Sequence, residues 1–317
     1  MLRLAAGTVA AAAATAAWAA PEPIDEEGFV RIGGIEQWVG IRGRDRTRPV
    51  LLFLHGGPCD AQSPHLSLFA PWEERYVVAQ WDQRGCGKTY EKNGNTTPDV
   101  TFERITQDAF EVSQYVLRRL GRRKLVLVGH SWGALLGLEV ARRRPELFDA
   151  FVGTGQPVSA KGIVDRMMSS AITRAQAAGD AAAVAELKQT SEQEMMTDQK
   201  KFVGLLVKWT EPFIASDQTY IRTPSAFPND FCGAKLNPSL LTADARTGGY
   251  KLPLPYFVIQ GKNDNRTLPS EARAFFDKVH APMKEYTAIH GGHFAFVTNA
   301  SGFLDALASD LKRLRIS

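Results

Sequence analysis

Six short strand-like runs recur along the chain, at residues 50–54, 76–81, 124–128, 148–153, 255–259 and 285–289. Most are continuous apolar stretches, as is typical of strands buried on both faces of a sheet. Segments with helical spacing or composition separate or follow them, at residues 102–120, 134–143, 270–279 and 303–314. Strands that alternate with helices predict an α/β fold, in which helices cover both faces of a mostly parallel, twisted sheet.

Two further strands precede this series. Residues 28–32 and 37–41 flank the pair Gly33-Gly34, which is a strong turn signal. We therefore expect an antiparallel pair at the start of the sheet.

Residues 157–250 break the alternation, because they contain no convincing buried strand. Residues 163–177, 181–188 and 194–209 have helical character, and a Pro- and Gly-containing irregular stretch follows them. We interpret 157–250 as a helical cap inserted between the fourth and fifth parallel strands. The core then comprises 20–156 and 251–317.

The N-terminus has the layout of a secretory signal peptide. A positive charge at Arg3 is followed by an uncharged, Ala-rich stretch, and Ala17-Trp18-Ala19 precedes an acidic segment. We predict a signal peptide at 1–19 and an exported protein, with an uncleaved anchor or an Ala-rich tail as alternatives. The stretch is too weakly apolar for a typical membrane span, so no stable membrane insertion is expected after cleavage.

Composition and charge argue against a disordered chain and against a nucleic-acid-binding protein. The chain is 44% hydrophobic and 23% charged, which is typical of a globular enzyme and not of a disordered chain. Its net charge of +4 comes partly from basic clusters at predicted helix ends, where they complement the helix dipole. We therefore predict no nucleic-acid partner; the oligomeric state is left open.

The segment GHSWG at 129–133 fits the pattern G-x-S-x-G, in which a sharp turn from strand to helix exposes a serine. A buried strand precedes it and a helix follows it, as this turn requires. We predict Ser131 as a nucleophile, with its hydroxyl at the carboxyl edge of the sheet.

A serine nucleophile needs a base, and the base needs a carboxylate that orients it. His293 follows two glycines that can turn the chain back toward Ser131, whereas its rival His290 belongs to a strand end. Asp264 comes just after the fifth strand, and the order Ser, Asp, His is that of hydrolases with this serine turn. The alternative acid position, after the fourth strand, offers no carboxylate.

Preorganised N–H groups must hold the oxyanion of an acyl-transfer reaction. We predict the backbone N–H groups of Trp132 and Gly57, the latter in the loop HGGP at 55–58. We expect His55 to have a structural and not a catalytic role.

Together these motifs resemble the proline iminopeptidase branch of the α/β-hydrolases. That branch carries HGGPG, DQRGxG(K/R)(S/T) and GxSWG in this order, and the chain has HGGPC at 55–59, DQRGCGKT at 82–89 and GHSWG at 129–133. The resemblance covers about residues 28–317 and is weakest in the cap. It implies an α/β-hydrolase fold and an acyl-enzyme mechanism without a metal or cofactor.

The chain departs from this pattern at two cysteines. Cys59 replaces the last glycine of HGGPG, and Cys86 occupies a position that usually holds a small residue. Both loops leave adjacent strands at one sheet edge, so a Cys59–Cys86 disulfide is our hypothesis, which leaves Cys232 free. Two unbonded thiols are the alternative.

The resemblance also implies cap carboxylates that bind the substrate's amino group. Glu211 is the candidate, because it follows Trp209, which could wall a proline-sized pocket; Glu192 and Glu194 are rivals, and a solvated carboxylate is the alternative. The expected substrate is a short peptide or small molecule, and the expected reaction is release of an N-terminal proline or similar residue. A carboxylesterase or lactonase with the same triad, and a non-catalytic binding protein, are the alternatives.

Overall fold

The computed structural model describes residues 22–198, 201–221, 231–232, 234–236 and 241–316. These residues form an eight-stranded sheet, in which the strand order is β1-β2-β4-β3-β5-β6-β7-β8. The pairs β1–β2 and β2–β4 are antiparallel, and the other neighbouring pairs are parallel. The strands are β1 (Ile24–Ile32), β2 (Ile35–Gly43), β3 (Val50–Leu54), β4 (Val77–Trp81), β5 (Leu125–His130), β6 (Phe148–Thr154), β7 (Tyr256–Gly261) and β8 (Lys284–Ile289). The predicted mostly parallel sheet with an antiparallel start is confirmed.

The helices predicted at 102–120, 134–143, 163–177, 181–188, 270–279 and 303–314 begin and end within three residues of their predicted bounds. The helix predicted at 194–209 is wrong in its bounds, because the structure has a short helix at Glu192–Thr197 and a separate π-helical turn at Phe202–Val207. The α-helices whose bounds lie within the described residues are α1 (Ala70–Glu73), α2 (Gly87–Asn93), α3 (Phe102–Leu120), α4 (Trp132–Arg143), α5 (Ala160–Ala177), α6 (Ala181–Gln189), α7 (Glu192–Thr197), α8 (Gln218–Ile221), α9 (Pro269–Lys278), α10 (Ala295–Thr298) and α11 (Ala300–Arg313). A 3₁₀ helix precedes α1 at Ser63–Phe69 and another precedes α8 at Ala215–Asp217, and a π-helical turn spans Phe202–Val207. The sequence pattern does not predict the short α1 and α2, because so few residues show no clear period.

Helices cover both faces of the sheet. Successive side chains of a strand point to opposite sides, so each central strand contributes to the packing on both faces. In β3, Leu52 and Leu54 belong to the hydrophobic cluster that includes apolar residues of α3 and α4. Leu51 and Phe53 belong to the other cluster, which includes apolar residues of α11. The central strands are therefore apolar at most positions, as the continuous runs predict.

The segment between β6 and β7 is mainly helical in its described residues and has a small hydrophobic cluster of its own. That cluster contains Ala171, Ala175, Ala183, Leu187, Met195, Leu205 and Leu206. We call residues 157–250 the cap segment; its predicted domain boundaries stay a prediction. The signal peptide predicted at 1–19 lies outside the described residues. None of the helices in the described part of the chain has the length and apolar character needed to cross a membrane.

One buried carboxyl group in α11 makes the stability of the fold depend on pH. Asp310 is 3% exposed, and its Oδ2 has no hydrogen-bond partner among the described residues. Burial, together with the nearby charge of Glu285, raises the pKa of Asp310 to about 7. The folded protein therefore holds this proton more tightly than the unfolded chain. The free energy of unfolding should consequently fall as pH rises from about 4 to about 7.

We expect Asp310→Asn to remove this dependence, because an amide does not ionise. At pH 8 the variant should exceed the wild type in free energy of unfolding by about 1–4 kcal/mol, and at pH 5 by clearly less. Urea denaturation at both pH values measures the difference. An equal difference at pH 5 and pH 8 would contradict the assignment.

Candidate active site

The turn from β5 to α4 places Ser131 at the carboxyl edge of the sheet. Ser131 has φ 52° and ψ −121°, a backbone conformation that L-residues rarely adopt. The glycines on either side have no room for a side chain. A Cβ on Gly133 would lie 2.1 Å from the carbonyl oxygen of Leu54, and one on Gly129 would lie 2.4 Å from that of Gly133. The turn can therefore close only with glycine at both positions.

His293 and Asp264 meet beside this turn. Nδ1 of His293 lies 2.9 Å from Oδ2 of Asp264, and the two residues are 5% and 2% exposed. His293 and Ser131 line the same cavity. A histidine whose Nδ1 proton is held by a carboxylate presents Nε2 as a proton acceptor, as a serine nucleophile requires.

Several donors keep Asp264 ionised. Thr267 Oγ1 and Gln260 Nε2 donate to Oδ2 at 2.6 and 2.9 Å, and the backbone N–H groups of Arg266 and Thr267 donate to Oδ1. Burial on its own would raise the pKa of Asp264. The neighbouring His293 and the hydrogen bonds from His293 and Thr267 outweigh it, so that the pKa is lowered.

A carboxylate of the cap segment holds the loop that carries His293. Asp217 is fully buried and accepts the backbone N–H groups of His293, at 2.9 Å, and of Phe294, at 3.1 Å. A Cβ on Gly292 would lie 2.2 Å from Oδ2 of Asp217, so this approach requires glycine. From the other side, Nε2 of His130 lies 3.0 Å from the carbonyl oxygen of His293. The histidine loop is thus fixed at both its N–H and its carbonyl groups.

The two predicted oxyanion donors also line the cavity that Ser131 lines. Trp132 is the first residue of α4, where backbone N–H groups have no partner within the helix. Gly57 has φ 110°, and the preceding Gly56 lies so close to the turn that a Cβ there would be 3.2 Å from the Cβ of Ser131. The loop after β3 thus packs directly against the loop after β5.

Residues of the motif at 82–89 tie these loops together. Gln83 Oε1 accepts from the indole N–H of Trp132, and its backbone N–H donates to Nε2 of His55. Asp82 accepts the N–H groups of Gln62, Ser63 and Lys88. Burial lowers the pKa of His55 to about 4, so this histidine is neutral near pH 7. These contacts give His55 and Gln83 a structural explanation.

The cavity beside Ser131 has a volume of about 370 Å³ and mainly apolar walls. Its cap side is lined by Ile163, Val164, Met167, Met196, Phe202 and Phe213. Among the described residues, the ionisable side chains that line it are Asp60, Arg266, His130 and His293. The arrangement suits a small, largely apolar acyl group whose carbonyl lies between Ser131 and the backbone donors.

The structure does not bring the predicted cap carboxylates into this cavity. Glu211 is exposed and lines a neighbouring cavity of about 380 Å³, where its backbone carbonyl accepts from Arg266. Glu192 pairs with Lys161 and Glu194 pairs with Lys201. Phe213, two residues after Glu211, lines the cavity beside Ser131, but Glu211 does not, so an amine-binding role for Glu211 has no support in this arrangement. His290 is exposed at the end of β8, as expected of a strand-end residue.

Cys59 and Cys86 form a disulfide that joins the loops after β3 and β4. Cys232 of the cap segment is a buried free thiol whose Sγ lies 3.5 Å from that of Cys86. The pairing is the one hypothesised from the sequence, but the position of Cys232 beside it was not foreseen.

Sequence reasoning missed three residues that the structure places at the site. Asp60 lines the cavity, Asp217 holds the histidine loop, and the hydroxyl of Tyr220 donates to Asp60 at 2.7 Å. Asp60 directly follows a recognised motif, which is a usable signal. Asp217 and Tyr220 lie in an irregular part of the cap segment, where no period or motif marks them.

Comparison with known proteins agrees with this geometry. The profile of the alpha/beta hydrolase fold family matches residues 49–300. The chain belongs to the α/β-hydrolase fold family. Among its curated relatives, the protein of Bacillus subtilis named "Probable aminopeptidase YbaC" is 39% identical over 129 residues, which is 40% of each chain. A 2-hydroxy-6-oxo-6-(2'-aminophenyl)hexa-2,4-dienoic acid hydrolase of Metapseudomonas resinovorans is 25% identical over 90% of this chain and 91% of its own.

Solved structures show the same fold. A proline iminopeptidase-related protein from Thermus thermophilus superposes with a TM-score of 0.67 over 92% of this chain and 98% of its own, at 20% identity. The matched segment spans only about 40% of the Bacillus subtilis relative. Because so little of that relative is matched, its name suggests a substrate class for this chain only as a proposal.

We expect one free thiol per chain, Cys232, when thiols are titrated under denaturing, non-reducing conditions. After reduction the count should rise to three, because the disulfide releases Cys59 and Cys86. The Cys232→Ser variant serves as the control and should give no free thiol before reduction. Three thiols in the unreduced wild type would contradict the disulfide.

Proposed function

We propose that this protein is a serine hydrolase that acts through an acyl-enzyme and releases N-terminal proline, or a similar small residue, from peptides. The observation that carries the proposal is the placement of Ser131, the His293–Asp264 pair and the backbone donors at one apolar cavity. Each group that acyl transfer requires is present there, and no metal or cofactor is needed for it.

In the proposed mechanism, Ser131 Oγ attacks the substrate carbonyl and His293 Nε2 takes the hydroxyl proton. Asp264 keeps the second ring proton on Nδ1 and stabilises the imidazolium that forms. The N–H groups of Trp132 and Gly57 hold the oxyanion, and His293 then delivers its proton to the leaving amine. Water then attacks the acyl-enzyme while His293 Nε2 takes its proton. His293 returns that proton to Ser131 Oγ, which frees Ser131 and the acid product.

The substrate class rests on two kinds of support. A cavity of about 370 Å³ with Met, Ile and Phe side chains on its cap side suits a compact ring such as that of proline. The names of the Bacillus subtilis and Thermus thermophilus relatives, an aminopeptidase and a proline iminopeptidase-related protein, point to the same class. The proposal includes export, supported by the signal peptide predicted from the sequence at residues 1–19 and by the disulfide, since disulfides persist in oxidising compartments.

A carboxylesterase or lactonase is the second candidate. One observation favours it: among the described residues, no acidic side chain of the cap segment lines the cavity. An ester substrate needs no anion to bind an amine, and the same Ser131, His293 and Asp264 would serve it.

Hydrolysis of a proline arylamide and of a short-chain aryl ester should distinguish the two candidates. We expect the wild type to cleave the arylamide, and Ser131→Ala to lose at least about 10³-fold in kcat, because no other group there can form the acyl-enzyme. A folded Ser131→Ala protein, verified by circular dichroism, makes the comparison valid. Cleavage of the ester alone would refute the peptidase assignment, and activity that survives in Ser131→Ala would refute the serine mechanism.

A further inference from the structure

Asp60 is the one acidic side chain that faces the cavity among the described residues that line it. Its side chain is 25% exposed, and that exposure includes the cavity. Oδ2 accepts the hydroxyl of Tyr220 at 2.7 Å, whereas Oδ1 lies 3.9 Å from the nearest nitrogen of His65, beyond hydrogen-bond distance. One carboxylate oxygen is therefore fixed, and the other is available to a ligand.

Neighbouring groups hold this carboxylate in place. The ring of Tyr220 stacks between His65, at 4.5 Å, and Phe294, at 4.2 Å. Gln62 Nε2 donates to the Tyr220 hydroxyl and to the backbone carbonyl of Asp60, and the N–H of Asp60 donates to Gly56. The carboxylate is thus oriented before a ligand arrives, which lowers the entropic cost of binding.

Two nearby basic side chains, His65 and Arg266, do not neutralise Asp60. Burial lowers the pKa of His65, which is therefore uncharged near pH 7. Arg266 packs on the ring of Phe213, at 4.1 Å, and donates to the carbonyl of Glu211. Burial raises the pKa of Asp60 to about 6, so most of the carboxyl groups are ionised at pH 7. A negative charge thus faces a mainly apolar cavity, where an ammonium group would complement it.

The location of Asp60 fits the covalent geometry of an aminoacyl group. The α-nitrogen is two bonds from the carbonyl carbon, so the two atoms are about 2.5 Å apart. Once the carbonyl oxygen is at the N–H groups of Gly57 and Trp132, the amine must lie close to the same loop. Asp60 is three residues after Gly57 and lines the same cavity, whereas Glu211 lines another.

We propose that Asp60 binds the protonated α-amine of the acyl group and thereby selects aminoacyl substrates, above all prolyl, over neutral acyl groups of the same shape. The proposal rests on the proposed function in one respect, since it requires acyl transfer to Ser131. It does not depend on whether the leaving group is an amine or an alcohol.

Two aryl esters that differ only in the amine test the proposal: the ester of proline and the ester of cyclopentanecarboxylic acid. At pH 7 the prolyl amine is mostly protonated, because ordinary α-amino pKa values are about 7.7–8.0. We expect the wild type to prefer the prolyl ester in kcat/KM. Asp60→Asn should lower kcat/KM for the prolyl ester by about 10- to 100-fold, as expected when a charged hydrogen-bond partner is removed. Its kcat/KM for the cyclopentane ester should change by less than about twofold, which also shows that the variant is folded.

Three further variants complete the test: one changes the orientation of Asp60, and two are controls. Tyr220→Phe keeps the stacked ring but removes the donor to Asp60, and should reduce the prolyl preference less than Asp60→Asn does. Asp305→Asn removes an exposed carboxylate that pairs with Arg75, and should leave both esters unchanged. Glu211→Gln should also keep the prolyl preference.

Three results would overturn the inference. The first is a wild type with no preference for the prolyl ester in kcat/KM. The second is an Asp60→Asn variant whose kcat/KM falls equally for both esters. The third is a Glu211→Gln variant that loses the prolyl preference while Asp60→Asn keeps it. In each of these cases, Ser131-dependent hydrolysis of the cyclopentane ester would leave the proposed serine mechanism standing. Hydrolysis of both esters that does not depend on Ser131 would refute the proposed function, and this inference with it.

Discussion

The close packing of the β5–α4 turn against the end of β3 is the constraint on which the site depends. Ser131 is held at positive φ, a conformation that costs about 1–3 kcal/mol and persists only where the surroundings impose it. The parallel pairing of Leu54 with Gly129, and the contact of Gly133 with the Leu54 carbonyl, impose it here. Because β3 and β5 are neighbours, the loop with Gly57 and the turn with Ser131 necessarily meet at one edge.

A single short stretch of the cap segment contacts both sides of this edge. Asp217 accepts the N–H groups of the loop that carries His293, and Tyr220, three residues later, donates to Asp60 in the loop after β3. Tyr220 also stacks on Phe294, next to His293. The cap segment is therefore both a wall of the cavity and a support for the base and for the carboxylate proposed to bind the substrate.

Much of this arrangement is predictable from the sequence, because strands buried on both faces are apolar at most positions and the serine turn demands glycines at fixed spacing. The strands, the long helices and the proximity of His293 and Asp264 follow from such local rules. Asp217 and Tyr220 could not be predicted, because their roles arise from contacts between residues more than 70 positions apart. The interpretation of Glu211 relied on a nearby tryptophan, but Glu211 faces a separate cavity.

The most direct test of the central claim is covalent labelling of the folded protein with an aryl fluorophosphonate, followed by intact-mass measurement and peptide mapping. Activation of Ser131 by His293 and Asp264 predicts one adduct per chain, on Ser131. His293→Ala should abolish this labelling, and Asp264→Asn should slow it by about 10³- to 10⁴-fold. An unlabelled Ser131 in the folded wild type, or labelling that His293→Ala leaves unchanged, would contradict the account.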